Sequence, residues 1–505
     1  MLQTRSYLTT GKIGSLTLKN RIIRAATSET MATVDGAVTD QLVELYTDLA
    51  KGGAGLIITG HIYVTSDGQC SPRQTGAYDD ALLPGLKKLT QAVHRHGGLI
   101  FAELSHAGSQ SVMPGFTPLA PSISQNAIFE TEAREMSLAD IERVVAAFGS
   151  AARRIRDAGF DGIHLHGGNG YLISQFASPI TNRRADNWGG NPQDRGRFAV
   201  SVYHAVRETV GSEFPVTARM GIADAVPGGL EESEGLLLAK RLADLGVDAI
   251  EVSFGIMDSY LRNIRPYVAV SARRAVEDWL FPRLWRPSGP QAYYRPFARE
   301  LKKICHTPVI LVGGIRTADV MTDVIDSGDA DFLSLARPFI RQPDLPARLA
   351  EGQQGVACVS CNMCLSEDGY EPLQCWRKKP SDMFRYLTRK VRQTFKTRNA
   401  TDGKCDHRIN ASPRANCEPA DAHRISPSAS VGGIGFFRRR NPIWRPQFKW
   451  WVLTRGGRKC FIFQGGLTDT LSAADCSSLY PIVQSDGATT SSATKAVGAS
   501  SAMLP

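Results

Sequence analysis

Three residues in one short run could do chemistry together. In HLHGGNGYLISQFASPITNRRADNWGG, His164 to Gly190, His166 and Asn169 stand three apart and Tyr171 follows two later. At one mouth, an imidazole and a carboxamide can donate hydrogen bonds to a carbonyl and stabilise the negative charge that develops on its oxygen. A phenol beside them can deliver a proton to the neighbouring carbon. For any one of these residues alone, capping a strand end or packing is the commoner role, so their positioning elements decide.

Eight short apolar, β-branched runs recur between residues 21 and 337: RIIRAAT from Arg21, GLIITG from Gly55, LIFAEL from Leu99, GIHLHG from Gly162, VTARMG from Val216, AIEVS from Ala249, VILVGG from Val309 and FLSLAR from Phe332. Segments of helical periodicity separate them. In TDQLVELYTDLAKGG, Thr39 or Asp40 can cap the start and Gly52 the end, and Ser137 and Asp140 are spaced as a capping box ahead of the next long helix. Buried strands alternating with helices argue for a parallel sheet covered by helices, and eight such units fit a TIM (β/α)8 barrel, whose chemistry gathers at the C-terminal ends of its strands. An open, doubly wound sheet has the same alternation and is not excluded by counting.

Composition narrows the class. The 505 residues are 42% hydrophobic and 21% charged, ordinary for a globular chain. No apolar run approaches the roughly 18 residues of a membrane span and the N-terminus lacks an apolar signal core, so the expectation is a soluble, cytoplasmic protein. The net charge of +10 is uneven. Residues 377–505 hold 22 Lys and Arg against 8 Asp and Glu, net +14, which leaves −4 over residues 1–376, 37 against 41. The even basic field of a nucleic-acid binder is absent from the part expected to fold. Residues 268–290 interrupt the rhythm between the sixth and seventh strands and read as an insertion. From Arg377 the pattern stops, and the Ser/Thr/Ala-rich end predicts a low-order extension or a C-terminus outside the reading frame of the preceding part. The division is thus a barrel over 1–376 and a basic extension over 377–505.

Several ordered motifs resemble the old yellow enzyme family of FMN-dependent ene-reductases: NRII at Asn20 to Ile23, HAG at His106 to Gly108, HGGNGYLISQF at His166 to Phe176, TNRRADNWGG at Thr181 to Gly190, then VGGIR and LARPF. The resemblance implies a flavoprotein that binds FMN and takes hydride from NADPH or NADH. The hydride passes to the β-carbon of an α,β-unsaturated carbonyl or nitro compound in a ping-pong cycle. His166 and Asn169 match the pair that grips the substrate oxygen, and Tyr171 matches the proton donor. Ala25, Ala26, Thr27 and Ser28 match the flavin edge after the first strand, and Gly60 a flavin-side position after the second. Arg219 matches the cation beside the ring, and Gly313, Gly314, Ala336 and Arg337 the phosphate cradle.

Glu103 departs from this pattern, standing where most relatives have Gln. A carboxylate cannot donate to the ring unless protonated, so weaker FMN binding or a shifted potential is expected. Ser109 replaces an Arg after HAG. Cys358, Cys361 and Cys364 form CxxCxxC and Cys375 follows, which leaves open an iron-sulfur cluster or zinc as in larger relatives resembling 2,4-dienoyl-CoA reductase, against free thiols. A catalytically inactive scaffold is a further alternative, opposed by the joint retention of His166, Asn169, Tyr171, Arg219 and Arg337. No nucleic-acid or membrane partner is expected, and a homo-oligomer is left open.

Overall fold

The computed structural model describes residues 5–126, 131–256, 291–361, 363–365, 371–389, 449–455 and 458–464. The segment 268–290, read as an insertion, lies outside the described residues, as do Cys405, Cys417 and Cys476. Two contact units divide the chain after Arg438.

In the first unit the eight expected strands form one closed parallel sheet: β1 Ile22–Arg24, β2 Leu56–Ile58, β3 Ile100–Ser105, β4 Gly162–Gly167, β5 Val216–Gly221, β6 Ala249–Ser253, β7 Val309–Val312 and β8 Phe332–Leu335. Each pairs with the next, and β8 closes on β1 through Leu333 beside Ile22 and Leu335 beside Arg24. Closure decides for the TIM barrel over the open sheet. The covering helices are α1 Asp40–Lys51, α2 Leu83–His94, α3 Leu138–Asp157, α4 Arg197–Val210, α5 Glu232–Asp244, α6 Arg295–Ile304 and α7 Ala318–Asp326. Their ends follow local rules. The Thr39 hydroxyl accepts from the Leu42 amide at the start of α1, and Ser137 and Asp140 cap α3 reciprocally.

Alternate strand residues face two cores. Ile57, Ile100, Ala102, Ile163, Val216, Ala218, Ile250, Val309 and Leu333 pack outward with the helices. Ile23, Leu56, Ile58, Phe101, Ala249, Ile310 and Phe332 form the inner core, which is closed below by Ile13 and Leu18 of an antiparallel pair, Gly11–Ile13 with Leu16–Leu18. Higher along the strands the same inward register carries Glu103, His164, His166, Thr217, Arg219, Glu251 and Ser334, all buried. The barrel interior therefore changes from hydrocarbon to charge toward the C-terminal mouth.

Regular structure continues past residue 376. A helix over 380–389 places Met383 and Tyr386 against Trp376 and Met363. In the second unit, Lys449–Arg455 and Arg458–Gln464 pair antiparallel. Among the described residues no helix is long and apolar enough to cross a membrane.

Leu18 is fully buried in the plug. Leu18→Ala should cost about 2–5 kcal/mol by loss of transfer energy and cavity formation, read as a lowered urea midpoint at unchanged slope. An unchanged midpoint would show that the plug contributes nothing to barrel stability.

Candidate active site

The mouth is built on the ionic layer beneath it. Arg219 of β5 donates to Glu251 of β6 through Nε at 3.2 Å and Nη2 at 2.8 Å, and its Nη1 lies 3.6 Å from Glu103 Oε2. Burial pulls the guanidinium's pKa down, but the two carboxylates hold it above its ordinary value. Glu251 was not among the residues expected from the sequence. A single acid within AIEVS has no spacing partner, and only the β5–β6 register sets it beside Arg219.

His164 shows how tightly this layer is specified. Thr217 donates its hydroxyl proton to the Ile163 carbonyl at 3.1 Å, so its oxygen accepts from His164 Nδ1 at 2.8 Å. The lone pair of His164 Nε2 then faces Glu251 Oε2 at 3.6 Å and Glu103 Oε2 at 3.8 Å, without a hydrogen bond. That lone pair favours a protonated carboxyl. Burial pushes the Glu103 pKa up to about 7 against the pull of Arg219, with Glu251 adding to the rise. Near neutrality Glu103 is therefore divided between an acceptor-only form and one that can donate, which tempers the expectation of weaker FMN binding.

Above this layer sit the three residues first singled out. His166 is 3% exposed, and its Nδ1 is buried without a hydrogen-bond partner. Burial first, and then Arg219, hold it well below the usual histidine range, so it is neutral. Asn169 has φ +57° in the turn after β4, a conformation Asn tolerates, and Gly170 follows at +75°. The Gln110 side chain donates to the Asn169 and Gly170 carbonyls, and the Gln175 side chain donates to Gly170. Asn169 Oδ1 accepts from Ser253 at 3.3 Å, which leaves its NH2 as the group available to a ligand. The Tyr171 ring lies 4.5 Å from that of His166, and its hydroxyl is 3.6 Å from the Cys70 thiol. Neither Cys70 nor His61, whose ring is 5.0 Å from that of Tyr171, was picked out from the sequence. Each is a lone residue in a run without spacing.

The remaining candidates ring the same end. Ala25 and Ala26 are buried beyond β1, with Thr27 and Ser28 half-buried. The Gly60 amide donates to Glu29 at 2.7 Å, and a Cβ there would collide with that carboxylate. The lack of a side chain at Gly60 is thus accounted for by Glu29, which also takes its N–H. Gly313 and Gly314 have φ +110° and +73°, and the Tyr293 ring lies against both, so a side chain at either position would be strained and obstructed. Ala336 caps the short helix Arg337–Arg341. Arg337 also lines a small cavity shared by Cys358, Cys361, Cys364 and Cys375. The first three thiols are pushed upward in pKa by burial. Among the described residues no set of three or more His, Cys, Asp or Glu is arranged to hold a metal.

A profile of the NADH:flavin oxidoreductase / NADH oxidase family matches residues 11–355. The chain belongs to that family. The old yellow enzyme resemblance is thereby established, and the structure agrees: an old yellow enzyme homologue from Zymomonas mobilis superposes with a TM-score of 0.58 at 28% identity, covering 75% of this chain and 99% of that one. An NADH oxidase of Thermoanaerobacter brockii is 36% identical over 70% of this chain but only 52% of its own length. A 4,4'-dithiodibutanoate disulfide reductase of Rhodococcus erythropolis is 34% identical over 72% of this chain and 93% of its own length.

FMN fits this family member on the orphaned buried polar atoms at Glu103 and His166, whereas the space beside Gly313 and Gly314 is taken by the Tyr293 ring. A carboxyl whose folded pKa is raised stabilises the fold fully below its unfolded pKa and loses that contribution as pH rises through about 7. The apoprotein should accordingly lose melting temperature between about pH 5 and about pH 8, and Glu103→Gln should flatten that loss, gaining a few degrees at the upper end. Parallel melting curves for both proteins would remove Glu103 as the cause.

Proposed function

We propose that the chain is an FMN-dependent NAD(P)H oxidoreductase that reduces the activated C=C bond of α,β-unsaturated carbonyl or nitro compounds by ping-pong hydride transfer. The observation that carries this reading is the meeting of neutral His166, the oriented NH2 of Asn169 and the Tyr171 phenol at one mouth, above a charge-compensated Arg219. Ala25, Ala26, Thr27, Ser28 and Glu103 would hold the flavin ring beside Arg219, and Gly313, Gly314, Ala336 and Arg337 its phosphate. When bound, FMN supplies hydride storage between nicotinamide and substrate.

The chain's own residues do the rest. His166 and Asn169 donate to the substrate oxygen, drawing electron density from the alkene and making its β-carbon electrophilic. A charged imidazole is not needed, and burial beside Arg219 keeps His166 neutral. Tyr171 holds the proton for the α-carbon. Hydride from the nicotinamide and this proton together account for the two hydrogens gained. One mouth serving both partners in turn is the basis for alternation. The catalytic unit is assigned to residues 1–376, with 377–505 as an extension.

A second reading adds a metal or iron-sulfur centre, favoured by the convergence of Cys358, Cys361, Cys364 and Cys375 on one cavity beside Arg337. Iron and sulfide in the purified protein would carry it, and their absence from anaerobically prepared protein would leave four thiols.

An anaerobic visible spectrum tests the main reading: a flavin band that bleaches with NADPH and recovers with cyclohexenone. A protein that is reduced but not reoxidised by the enone would defeat it. Tyr171→Phe should slow reoxidation by about 10²-fold or more while flavin reduction stays nearly intact. Equal losses in both half-reactions would take the proton-donor role from Tyr171. His166→Ala should weaken phenol binding about ten-fold or more, and unchanged affinity would contradict its role at the substrate oxygen.

A further inference from the structure

His61 lies three residues past the end of β2, just before Ile62–Tyr63, which pairs with Leu104 and Ser105 at the end of β3. This register carries its ring to the mouth. The ring centroid lies 5.0 Å from that of Tyr171, edge-on at 61°, and 6.1 Å from that of His166, and the residue is 8% exposed.

The neighbours of His61 settle which ring nitrogen holds the proton. The Cys70 amide donates to Gln74 Oε1 at 2.7 Å, which fixes the Gln74 carboxamide with its NH2 toward His61. That NH2 has two protons and two acceptors, His61 Nδ1 at 2.9 Å and the His61 carbonyl at 3.0 Å. Nδ1 is therefore an acceptor, with the Ser105 hydroxyl also near it at 3.3 Å, and the ring proton is on Nε2. Burial, and then Arg219, lower the His61 pKa to about 4, so the ring is a neutral donor in neutral solution. Both hydrogen-bond partners of the ring are on Nδ1, and Nε2–H has no acceptor among the described residues. A donor N–H on a ring held this firmly beside Tyr171 and His166 is suited to an acceptor brought by a ligand.

We propose that His61 is a third hydrogen-bond donor of the site, placed to hold a second oxygen of the substrate, so that the preferred substrates are activated alkenes bearing a further carbonyl or carboxyl group. This rests on the reading of the mouth as a site for carbonyl compounds. His166 and Asn169 serve one oxygen, and a donor beside Tyr171 rather than beside Asn169 serves another. His61 is thus a specificity-determining residue, and the Cys70, Gln74 and Ser105 contacts are what orient it.

The test uses the FMN-loaded protein and two ligand pairs that differ by one acceptor. Binding of phenol and of 4-hydroxybenzaldehyde is followed by calorimetry, independently of turnover, and KM is measured for cyclohexenone and for N-methylmaleimide. Wild type should prefer the two-oxygen member of each pair. His61→Phe, which keeps a ring against Tyr171 but has no N–H, should cut that preference about ten-fold, and His61→Gln should restore part of it. Equal loss for both members of a pair would assign His61 a packing role and overturn the proposal, as would an unchanged ratio. If His61→Phe does not fold, the Gln74→Leu variant, which frees Nδ1 and the tautomer, must still lower the ratio. Wild type that shows the binding preference, and loses it in His61→Phe, but does not turn over cyclohexenone would sink the ene-reductase reading and leave this one standing. Failure of both phenols to bind wild type would sink both.

Discussion

A guanidinium sealed inside a barrel must be neutralised where it stands. Arg219 is 6% exposed, and an unpaired charge at that depth would cost several kcal/mol. Glu251 on the next strand supplies two hydrogen bonds and Glu103, two strands away, a longer ion pair. Beside them Thr217 fixes the His164 proton on Nδ1, and burial, with Glu251 adding to the rise against the pull of Arg219, raises the pKa of the Glu103 carboxyl. Burial first, and then the charge at Arg219, keep His61 and His166 neutral, so the chemistry of the mouth depends in part on the pairing one layer beneath it.

That layer is affordable because of what lies under it. Ile13 and Leu18 close a hydrocarbon plug of Phe101, Ile310 and Phe332, and the buried charges above it stand in a medium where their interactions are strong. The gradient from apolar floor to ionic middle to polar mouth follows the alternation of each strand. Phe101, Glu103 and Ser105 on β3 are successive steps of it. The mouth is then stiffened by carboxamides: Gln110 and Gln175 hold the Asn169 turn, and Gln74 holds His61. A rigid mouth spends little binding energy on ordering its own donors.

The cysteine region joins this frame at Arg337, the residue expected to face a phosphate. The four thiols lie beside the same cation, and Arg341 donates to the Arg377 carbonyl while Trp376 packs with Met383 and Tyr386. The segment after the barrel is thus tied to the last strand and its short helix rather than trailing from it, up to residue 389.

Much of the fold was legible locally. The apolar strand runs, the Thr39 cap and the Ser137–Asp140 box depend on neighbours in the chain, and His166, Asn169 and Tyr171 lie at one strand end whose spacing can be read directly. Barrel closure was not, because an open sheet has the same alternation and only the pairing of β8 with β1 distinguishes them. Glu251, Cys70, Gln74 and His61 were equally hidden, each a solitary polar residue whose partner is distant in sequence. The sequence alone determined the eight strand runs, the helices between them and the family they resemble. Tertiary structure decided which inward residues meet, and therefore which carry protons, because desolvation and hydrogen-bond partners act through space across strands rather than along the chain.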